Sequence, residues 1–121
     1  MDRLYIAILG CGTVGGGVAQ IITEINQELS IRAKTQIVLK KIVELSPVKA
    51  SERFNLPIGL FCGGGRDLTG TEANEFIREI ISSDEIDLVV ETIGGKSDFV
   101  FNLCLDISIQ GNIWLRPTRP F

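Results

Sequence analysis

A glycine-rich segment near the start of the chain limits the possible folds sharply. Residues 6–17 read Ile-Ala-Ile-Leu-Gly-Cys-Gly-Thr-Val-Gly-Gly-Gly. An apolar stretch, predicted to be a strand over residues 4–9, leads directly into the glycines, and a helical pattern begins at once. A strand that enters a helix through such a turn is the start of a βαβ unit, so the segment predicts an α/β protein with a parallel sheet.

The spacing of these glycines, G-x-G-x-x-G, gives the turn a specific chemistry. Gly10 permits the sharp bend, Gly12 lets a pyrophosphate approach the backbone, and Gly15 lets the helix pack close to the strand. The N–H groups of Thr13 and Val14, at the start of the helix, then face the phosphates. The motif therefore predicts a dinucleotide site. The alternative is a glycine-rich turn in an α/β domain that has lost its ligand.

Hydrophobic periodicity predicts the remaining elements. The further predicted strands are residues 36–43, 60–62 and 88–90. The predicted helices are residues 14–29, 46–54, 71–82 and 97–109, with a polar linker at 30–34. The inward face predicted for the first helix consists of Val14, Val18, Ile21, Ile22, Ile25 and Leu29. This order predicts an incomplete Rossmann-type, doubly wound parallel sheet of about four strands in the order 3-2-1-4, and residues 1–111 then form one nucleotide-binding domain.

Ligands of such sheets bind at the carboxyl ends of the strands, where the strand order reverses. Here that point lies between the first and fourth predicted strands, where residues 10–15 and 91–95 meet. Glu91 would orient the nicotinamide ribose or the substrate there, or would instead cap the next helix. The acidic residues at 84, 85 and 87 lie at the opposite end of the fourth strand and are interpreted as a solvated turn.

Two further residues have both a functional and a structural interpretation. Glu44 ends the second predicted strand, where a carboxylate binds the adenosine ribose hydroxyls and repels a 2′-phosphate, which favours NAD over NADP. The alternative is a solvated loop carboxylate, and Lys40 and Lys41 nearby weaken the preference. Cys11 either contacts the cofactor through its backbone or fills a small buried space, and without a basic neighbour its thiol is not expected to be reactive.

Composition excludes several classes of function. The chain of 121 residues contains no histidine, which excludes His-based metal sites and Ser-His-Asp or Cys-His catalysis. Its three cysteines form no C-x-x-C motif and predict no disulfide framework. The net charge is −3 with dispersed basic residues, and no apolar run reaches transmembrane length. We therefore expect a cytoplasmic protein without nucleic-acid or membrane partners, whose chemistry is supplied by a cofactor.

Two segments together resemble the cofactor-side signatures of homoserine dehydrogenase. They are Gly-Cys-Gly-Thr-Val-Gly-Gly-Gly-Val at residues 10–18 and Leu-Val-Val-Glu-Thr-Ile-Gly-Gly at residues 88–95, and Ser-Asp-Glu-Ile-Asp at 83–87 is similar to that family as well. The resemblance covers about residues 4–111. It implies NAD or NADP as cofactor and the interconversion of L-homoserine and L-aspartate 4-semialdehyde in threonine and methionine biosynthesis. It also implies cofactor contacts at Cys11, Thr13, Val14, Glu91, Thr92, Ile93 and Gly94.

Residues 112–121 depart from the family pattern. The family implies a strand here that reads Gly-Lys-His-Val-Val-Thr-Ala-Asn-Lys, followed by a substrate domain with a catalytic lysine. The chain instead reads Asn-Ile-Trp-Leu-Arg-Pro-Thr-Arg-Pro-Phe, and its two prolines disfavour a parallel strand. Back-translated codons read in a shifted frame give His-Met-Val-Thr-Ala-Asn-Lys-Ala-Leu, close to the family strand. We therefore hypothesise a frameshift near residue 112.

On this hypothesis residues 112–121 are an aberrant tail, and the substrate domain and the family's dimer interface are missing. The fourth predicted strand becomes an exposed apolar sheet edge. The fragment is then expected to bind a dinucleotide weakly and to transfer no hydride. Two alternatives remain open: the cofactor half of another amino or semialdehyde dehydrogenase, and a stand-alone nucleotide-binding or sensing module without catalysis.

Overall fold

The computed structural model describes residues 3–92 and the backbone of residues 113–115. The elements in chain order are β1 (Arg3–Leu9), α1 (Thr13–Glu24), α2 (Asn26–Ala33), β2 (Gln36–Val43), α3 (Pro47–Phe54), a 3-10 turn (Ile58–Leu60), α4 (Gly70–Ser82), β3 (Leu88–Glu91) and β4 (Ile113–Leu115). The helix predicted at 97–109 lies outside the described residues. Within these ranges, no helix is both long enough and apolar enough to cross a bilayer.

The sheet has the strand order β2-β1-β3-β4. β1 lies in the middle of three parallel strands and pairs with β2 on one side and β3 on the other. Leu9 is opposite both Val43 and Glu91, so the carboxyl ends of these strands meet at one edge of the sheet. The predicted α/β class is confirmed, and the strand order reverses between β1 and β3 as the sequence predicts.

The third predicted strand, residues 60–62, is wrong. This segment makes one parallel bridge, between Ile42 and Phe61, and the Cys62 N–H donates to the Ile42 carbonyl (2.9 Å). The glycines at 63–65 follow, and all three have positive φ angles, so the chain turns away before a ladder forms. The segment still lies at the outer side of β2, which is the position that the predicted order gives it.

The single helix predicted over residues 14–29 is divided into α1 and α2. Ile25 separates them, with φ −115° and ψ 29°, outside helical values. α2 continues into the predicted polar linker and ends at Ala33, and Lys34 follows as the C-cap in the left-handed conformation. Buried Ser30 explains why this polar segment is ordered, because its hydroxyl accepts a hydrogen bond from the Ile37 N–H of β2 (3.0 Å).

Of the face predicted from periodicity, Ile22 is buried and Val18 and Leu29 are half-buried against the core, and α1 buries small residues beside them. The buried positions are Gly15, Gly16, Ala19 and Ile22. Three members of the predicted face are exposed: Val14, Ile21 and Ile25. The reason is close packing, because a Cβ added at Gly16 would overlap the ring of Phe54 on α3. A helix that approaches its neighbours this closely needs glycine and alanine at the contact.

Both faces of the sheet are covered by helices. Ile6 and Ile8 of β1 belong to a core layer shared with α1 and α3. Ala7 and Leu9, which alternate with them, belong to a second layer shared with α4. Coverage on both faces explains why the parallel strands are apolar throughout their centres.

α4 forms where the sequence predicts a helix, with its start fixed by a capping box. The Thr69 hydroxyl accepts from the Glu72 N–H, and the Glu72 carboxylate accepts from the Thr69 N–H, both at 3.1 Å. The predicted apolar face is confirmed, since Ala73, Ile77 and Ile80 are buried. A crossover helix runs antiparallel to the strand that follows it. α4 thus begins at the carboxyl edge of the sheet, where the glycine loop also lies.

Asp87 corrects the prediction of a fully solvated turn before the last parallel strand. It is only 1% exposed, whereas Asp84 and Glu85 are exposed. Its carboxylate accepts from the Tyr5 N–H and its own N–H donates to the Tyr5 carbonyl, both at 2.9 Å. Asp87 thus fixes the start of β3 against β1, at the end of the sheet away from the glycine loop.

β4 overturns the expectation that the last parallel strand is an exposed sheet edge. Its backbone pairs antiparallel with β3, with Ile113 opposite Val90 and Leu115 opposite Leu88. The prolines at 117 and 120 come after this paired segment, so they remove no donor from its ladder. An antiparallel strand thus covers the β3 edge of the sheet, where the prolines disfavour a parallel strand.

Candidate functional site

The loop between β1 and α1 bends sharply at Gly10, whose φ is +89°. The Gly10 N–H donates to the Val43 carbonyl at the end of β2 (2.8 Å), which anchors the bend on the neighbouring strand. An L side chain is strained in this conformation. Gly10 therefore has the backbone geometry that the motif requires at its first position.

Gly15 and Thr92 hold the loop from its other side. A Cβ added at Gly15 would overlap the Gly10 carbonyl oxygen and the Thr92 Oγ1. The Thr92 hydroxyl lies 2.8 Å from the Gly10 carbonyl oxygen and 3.1 Å from that of Leu9, and the Thr92 N–H donates to Leu9 (2.8 Å). The first residue after β3 is thus a clamp on the glycine loop.

The importance of this clamp can be tested with two substitutions at Thr92. We expect Thr92→Val to reduce the free energy of unfolding by about 1–2 kcal/mol, because the Gly10 carbonyl loses its hydroxyl donor. Thr92→Ser keeps the hydroxyl and is expected to retain most of the stability. Urea denaturation followed by circular dichroism measures both, and a larger loss in Thr92→Ser than in Thr92→Val would show that the methyl group, not the hydroxyl, is what matters.

Gly12 is the one glycine of the motif that the fold itself does not need. Its φ of −83° suits any residue, and beyond its chain neighbours none of the described residues has an atom within 4 Å of the position that a Cβ would occupy. It is the N-cap of α1 and offers no side chain to the N–H groups of Thr13, Val14 and Gly15, which have no acceptor one turn earlier. Open space beside such N–H groups fits a phosphate.

Arg53 adds a positive charge beside the start of α1. Its guanidinium donates to the Thr13 Oγ1 (3.1 Å) and lies over the Phe54 ring, 4.8 Å from the centroid. The charge reinforces the positive end of the helix dipole, which favours an anion at this position. The sequence alone does not predict this contact, because only the packing of α3 against α1 brings residues 53 and 13 together.

Glu44 connects the loop after β1 with the loop after β2. Its Oε1 accepts from the Cys11 N–H (2.8 Å), and its Oε2 accepts from the Ser46 N–H (2.9 Å). Ser46 is the N-cap residue of α3, and its side chain makes no capping hydrogen bond to that helix. Half-buried and doubly bonded to backbone, Glu44 does not match the alternative of a solvated loop carboxylate.

Cys11 is buried within the loop and its thiol is inert. Burial raises the pKa of the thiol to about 11; the Glu44 carboxylate also raises it, and the Arg53 guanidinium opposes the rise. The thiol is therefore protonated at neutral pH and cannot act as a nucleophile. Its backbone N–H donates to the Glu44 carboxylate. The structure therefore supports the interpretation of Cys11 as a residue that fills a small buried space, and not as a cofactor contact made through this N–H.

Glu91 is the last residue of β3 and not, as predicted, the first residue of a loop. It is opposite Leu9 in the parallel ladder and is 9% exposed. The predicted contacts at Ile93 and Gly94 lie outside the described residues. Of the second predicted segment, Thr92 is therefore the residue that the structure places against the glycine loop.

A cleft of about 360 Å³ opens at the carboxyl edge of the sheet, between the glycine loop, the end of β2 and the first half of α4. Five predicted site residues line it: Gly10, Cys11, Gly12, Glu44 and Thr92. The sequence interpretation missed the wall formed by α4, which consists of Gly70, Ala73, Asn74 and Ile77. The predicted topology is sufficient to find this wall, since it places the start of this helix at the carboxyl edge of the sheet.

These features define the class of the protein. A parallel sheet covered by helices, with a glycine loop and a cleft at the point where strand order reverses, is a Rossmann-like α/β domain.

Comparison with known proteins points to one family. No family model matches the chain. The chain is 30% identical over 95 residues to homoserine dehydrogenase from Methylobacillus glycogenes and 26% identical over 95 residues to that from Bacillus subtilis (strain 168), covering 78% of this chain in each case. Crystal structures of S. aureus homoserine dehydrogenase at pH 6.5 and pH 6.0 match with TM-scores of 0.57 and 0.56, at 30% and 32% identity, over 85% and 82% of this chain.

The predicted resemblance to homoserine dehydrogenase is therefore confirmed, in sequence and in structure, over most of the chain. The chain spans about a fifth of the length of these curated relatives, 20% and 19%, and about a quarter of the matched crystal chains, 24% and 23%.

Proposed function

We propose that residues 3–92 form the dinucleotide-binding part of a homoserine dehydrogenase, an NAD(P)-dependent oxidoreductase that interconverts L-homoserine and L-aspartate 4-semialdehyde. The observation that carries the proposal is Gly12, an exposed glycine that neither backbone conformation nor packing demands, beside N–H groups that lack intrahelical acceptors. Similarity to homoserine dehydrogenases supports the reaction class.

The pyrophosphate and the adenosine ribose of the dinucleotide each have a partner in this proposal. The pyrophosphate lies against the first turn of α1, at the N–H groups of Thr13 and Val14, and close to the Arg53 guanidinium. The adenosine ribose lies at Glu44, whose two oxygens each accept one backbone N–H and keep a second lone pair for a ribose hydroxyl. These residues bind and orient the cofactor, which itself supplies the hydride chemistry.

The described part of the chain is suited to binding rather than to proton transfer. Among the residues of 3–92 that line the cleft, the titratable side chains are Glu44, which is bonded to backbone, and Cys11, whose thiol stays protonated. In our proposal, substrate binding and proton transfer therefore belong to parts of the enzyme outside residues 3–92.

Titration of the purified 121-residue chain with NAD, ADP-ribose and nicotinamide mononucleotide tests this proposal. We expect NAD and ADP-ribose to bind with similar affinity in a calorimeter, because the described contacts are to the adenosine half, and nicotinamide mononucleotide to bind at least about tenfold more weakly. The same sample with homoserine and NAD should form no NADH. Absence of any NAD or ADP-ribose binding would overturn the proposed function, and NADH formation would overturn the division between binding and catalysis.

A further inference from the structure

The outer edge of β2, on the side away from β1, is closed by side chains and not by another strand. Within residues 3–92 and 113–115, β2 pairs with β1 on its inner side, and on its outer side Ile42 alone is bridged, to Phe61. An open sheet edge presents N–H and C=O groups that recruit further strands. The part of β2 before Ile42 therefore needs other partners for these groups.

Asn26 and Ser30 of α2 are such partners at Ile37. The Ile37 N–H donates to the Ser30 Oγ (3.0 Å), and the Ile37 carbonyl accepts from the Asn26 Nδ2 (2.6 Å). The two residues are four positions apart on α2, so they lie on one face of this helix. They present one acceptor and one donor, as a neighbouring strand would. We call Asn26 and Ser30 the edge cap, because no strand can pair at Ile37 while these bonds exist.

The edge cap lies where β2 has no charge to protect it. Residues 36–39 read Gln-Ile-Val-Leu, a neutral and mostly apolar run, and Lys40 and Lys41 follow. Lysine on an edge strand disfavours pairing with a further strand, whereas a neutral apolar run favours it. Leu39, two residues after Ile37, directs its backbone groups to the same side and lines an open groove of about 330 Å³. Without the cap, this edge has both the room and the groups for another strand.

We propose that the edge cap prevents β2 from pairing with β2 of a second copy of this chain. Two uncapped copies are complementary about a two-fold axis at Val38. Ile37 of each copy then lies opposite Leu39 of the other in an antiparallel ladder, and each such pair exchanges two hydrogen bonds. The inference does not depend on the dinucleotide site, because the cap and the cleft share no residue.

Removing the cap with Asn26→Ala and Ser30→Ala together tests this inference. We expect the double variant of the 121-residue chain to self-associate at least about tenfold more tightly than the wild type in sedimentation velocity. Gln27→Ala removes an exposed amide from the same helix and should behave as the wild type. Circular dichroism establishes that the double variant is folded. If it is not, Ser30→Ala alone takes its place, because alanine favours the helix.

A third substitution separates edge pairing from general aggregation. Val38→Lys, added to the double variant, places two like charges opposite each other at the centre of the ladder, where they destabilise the pairing. It should return self-association to the wild-type value. The proposed role of the cap is wrong if the folded uncapped variant associates no more tightly than the wild type, or if Val38→Lys leaves its association unchanged.

Discussion

Gly15→Ala is expected to lower the Tm of the chain by roughly 10 °C or more. The added Cβ would overlap the Gly10 carbonyl oxygen, which belongs to the backbone, and the Thr92 Oγ1, which is hydrogen bonded to the loop. Neither atom can move without breaking the contact between β1 and the residue after β3. Overpacking of this kind costs about 1–3 kcal/mol, and each kcal/mol shifts Tm by about 4–8 °C in a domain of this size.

Gly17→Ala provides a matched control for the stability measurement. It adds the same atoms to the same helix, at a position where, outside its chain neighbours and the helix backbone, no atom of residues 3–92 lies within 4 Å of the new Cβ. Because alanine stabilises a helix interior by about 1 kcal/mol relative to glycine, Tm should rise slightly. Thermal unfolding followed by circular dichroism measures both variants. Similar Tm values for Gly15→Ala and the wild type would show that α1 does not pack against Gly10 as closely as described.

Glu44→Gln is expected to remove most of the discrimination between NAD and NADP. The wild-type carboxylate is fixed in the cleft by the N–H groups of Cys11 and Ser46. It cannot turn away from a 2′-phosphate, so we expect NAD to bind at least about tenfold more tightly than NADP. Glutamine removes the charge and keeps the shape, and the ratio of the two dissociation constants should fall to near one.

The same substitution also reports the structural role of Glu44. Glutamine has one acceptor oxygen where the carboxylate has two, so either the Cys11 or the Ser46 N–H loses its partner, at a cost of about 1–2 kcal/mol. The titrations must therefore be made well below the Tm of the variant. Glu75→Gln removes an equal charge from an exposed site outside the cleft and should leave the preference unchanged. An unchanged preference in Glu44→Gln as well would place the ribose elsewhere.

The sequence predicts the parts of the fold that depend on backbone geometry and strong periodicity. G-x-G-x-x-G requires a bend that only glycine makes easily, and Gly10 has it. α4 has a regular apolar face and a capping box at its start, and it lies within one residue of its predicted boundaries. The similarity to homoserine dehydrogenase is found from the same loop and from the end of β3, where Gly10, Gly15 and Thr92 contact each other closely.

Other features depend on contacts between elements that no local pattern contains. The predicted face of the first helix was right at Ile22 and wrong at Ile21, because hydrophobic periodicity ranks Ile21 above Gly16, whereas the Phe54 ring leaves room only for the glycine. The prediction of a solvated turn before β3 was wrong at Asp87. This charged residue of an acidic run is buried because the Tyr5 N–H of the neighbouring strand donates to its carboxylate.

In the candidate site, the positions of the glycine loop and of Glu44 can be predicted, because both lie at the ends of strands and the sequence locates these ends well. Arg53 and Asn74 come from helices, and the sequence does not show which of their turns faces the loop. Arg53 reaches Thr13 only because α3 packs on α1, and Asn74 reaches the cleft only because α4 begins at the carboxyl edge. The topology predicts that the cleft lies at the carboxyl edge of the sheet, and side-chain packing then determines which residues line the cleft.

The affinity of NAD for Gly12→Ala, compared with Gly17→Ala and the wild type, tests the central claim most directly. Both variants add one methyl group to open space, so both should fold with Tm values close to that of the wild type. If the pyrophosphate lies against Gly12, the Kd for NAD should rise at least about tenfold in Gly12→Ala and stay unchanged in Gly17→Ala. Wild-type affinity in a folded Gly12→Ala variant would contradict the dinucleotide site.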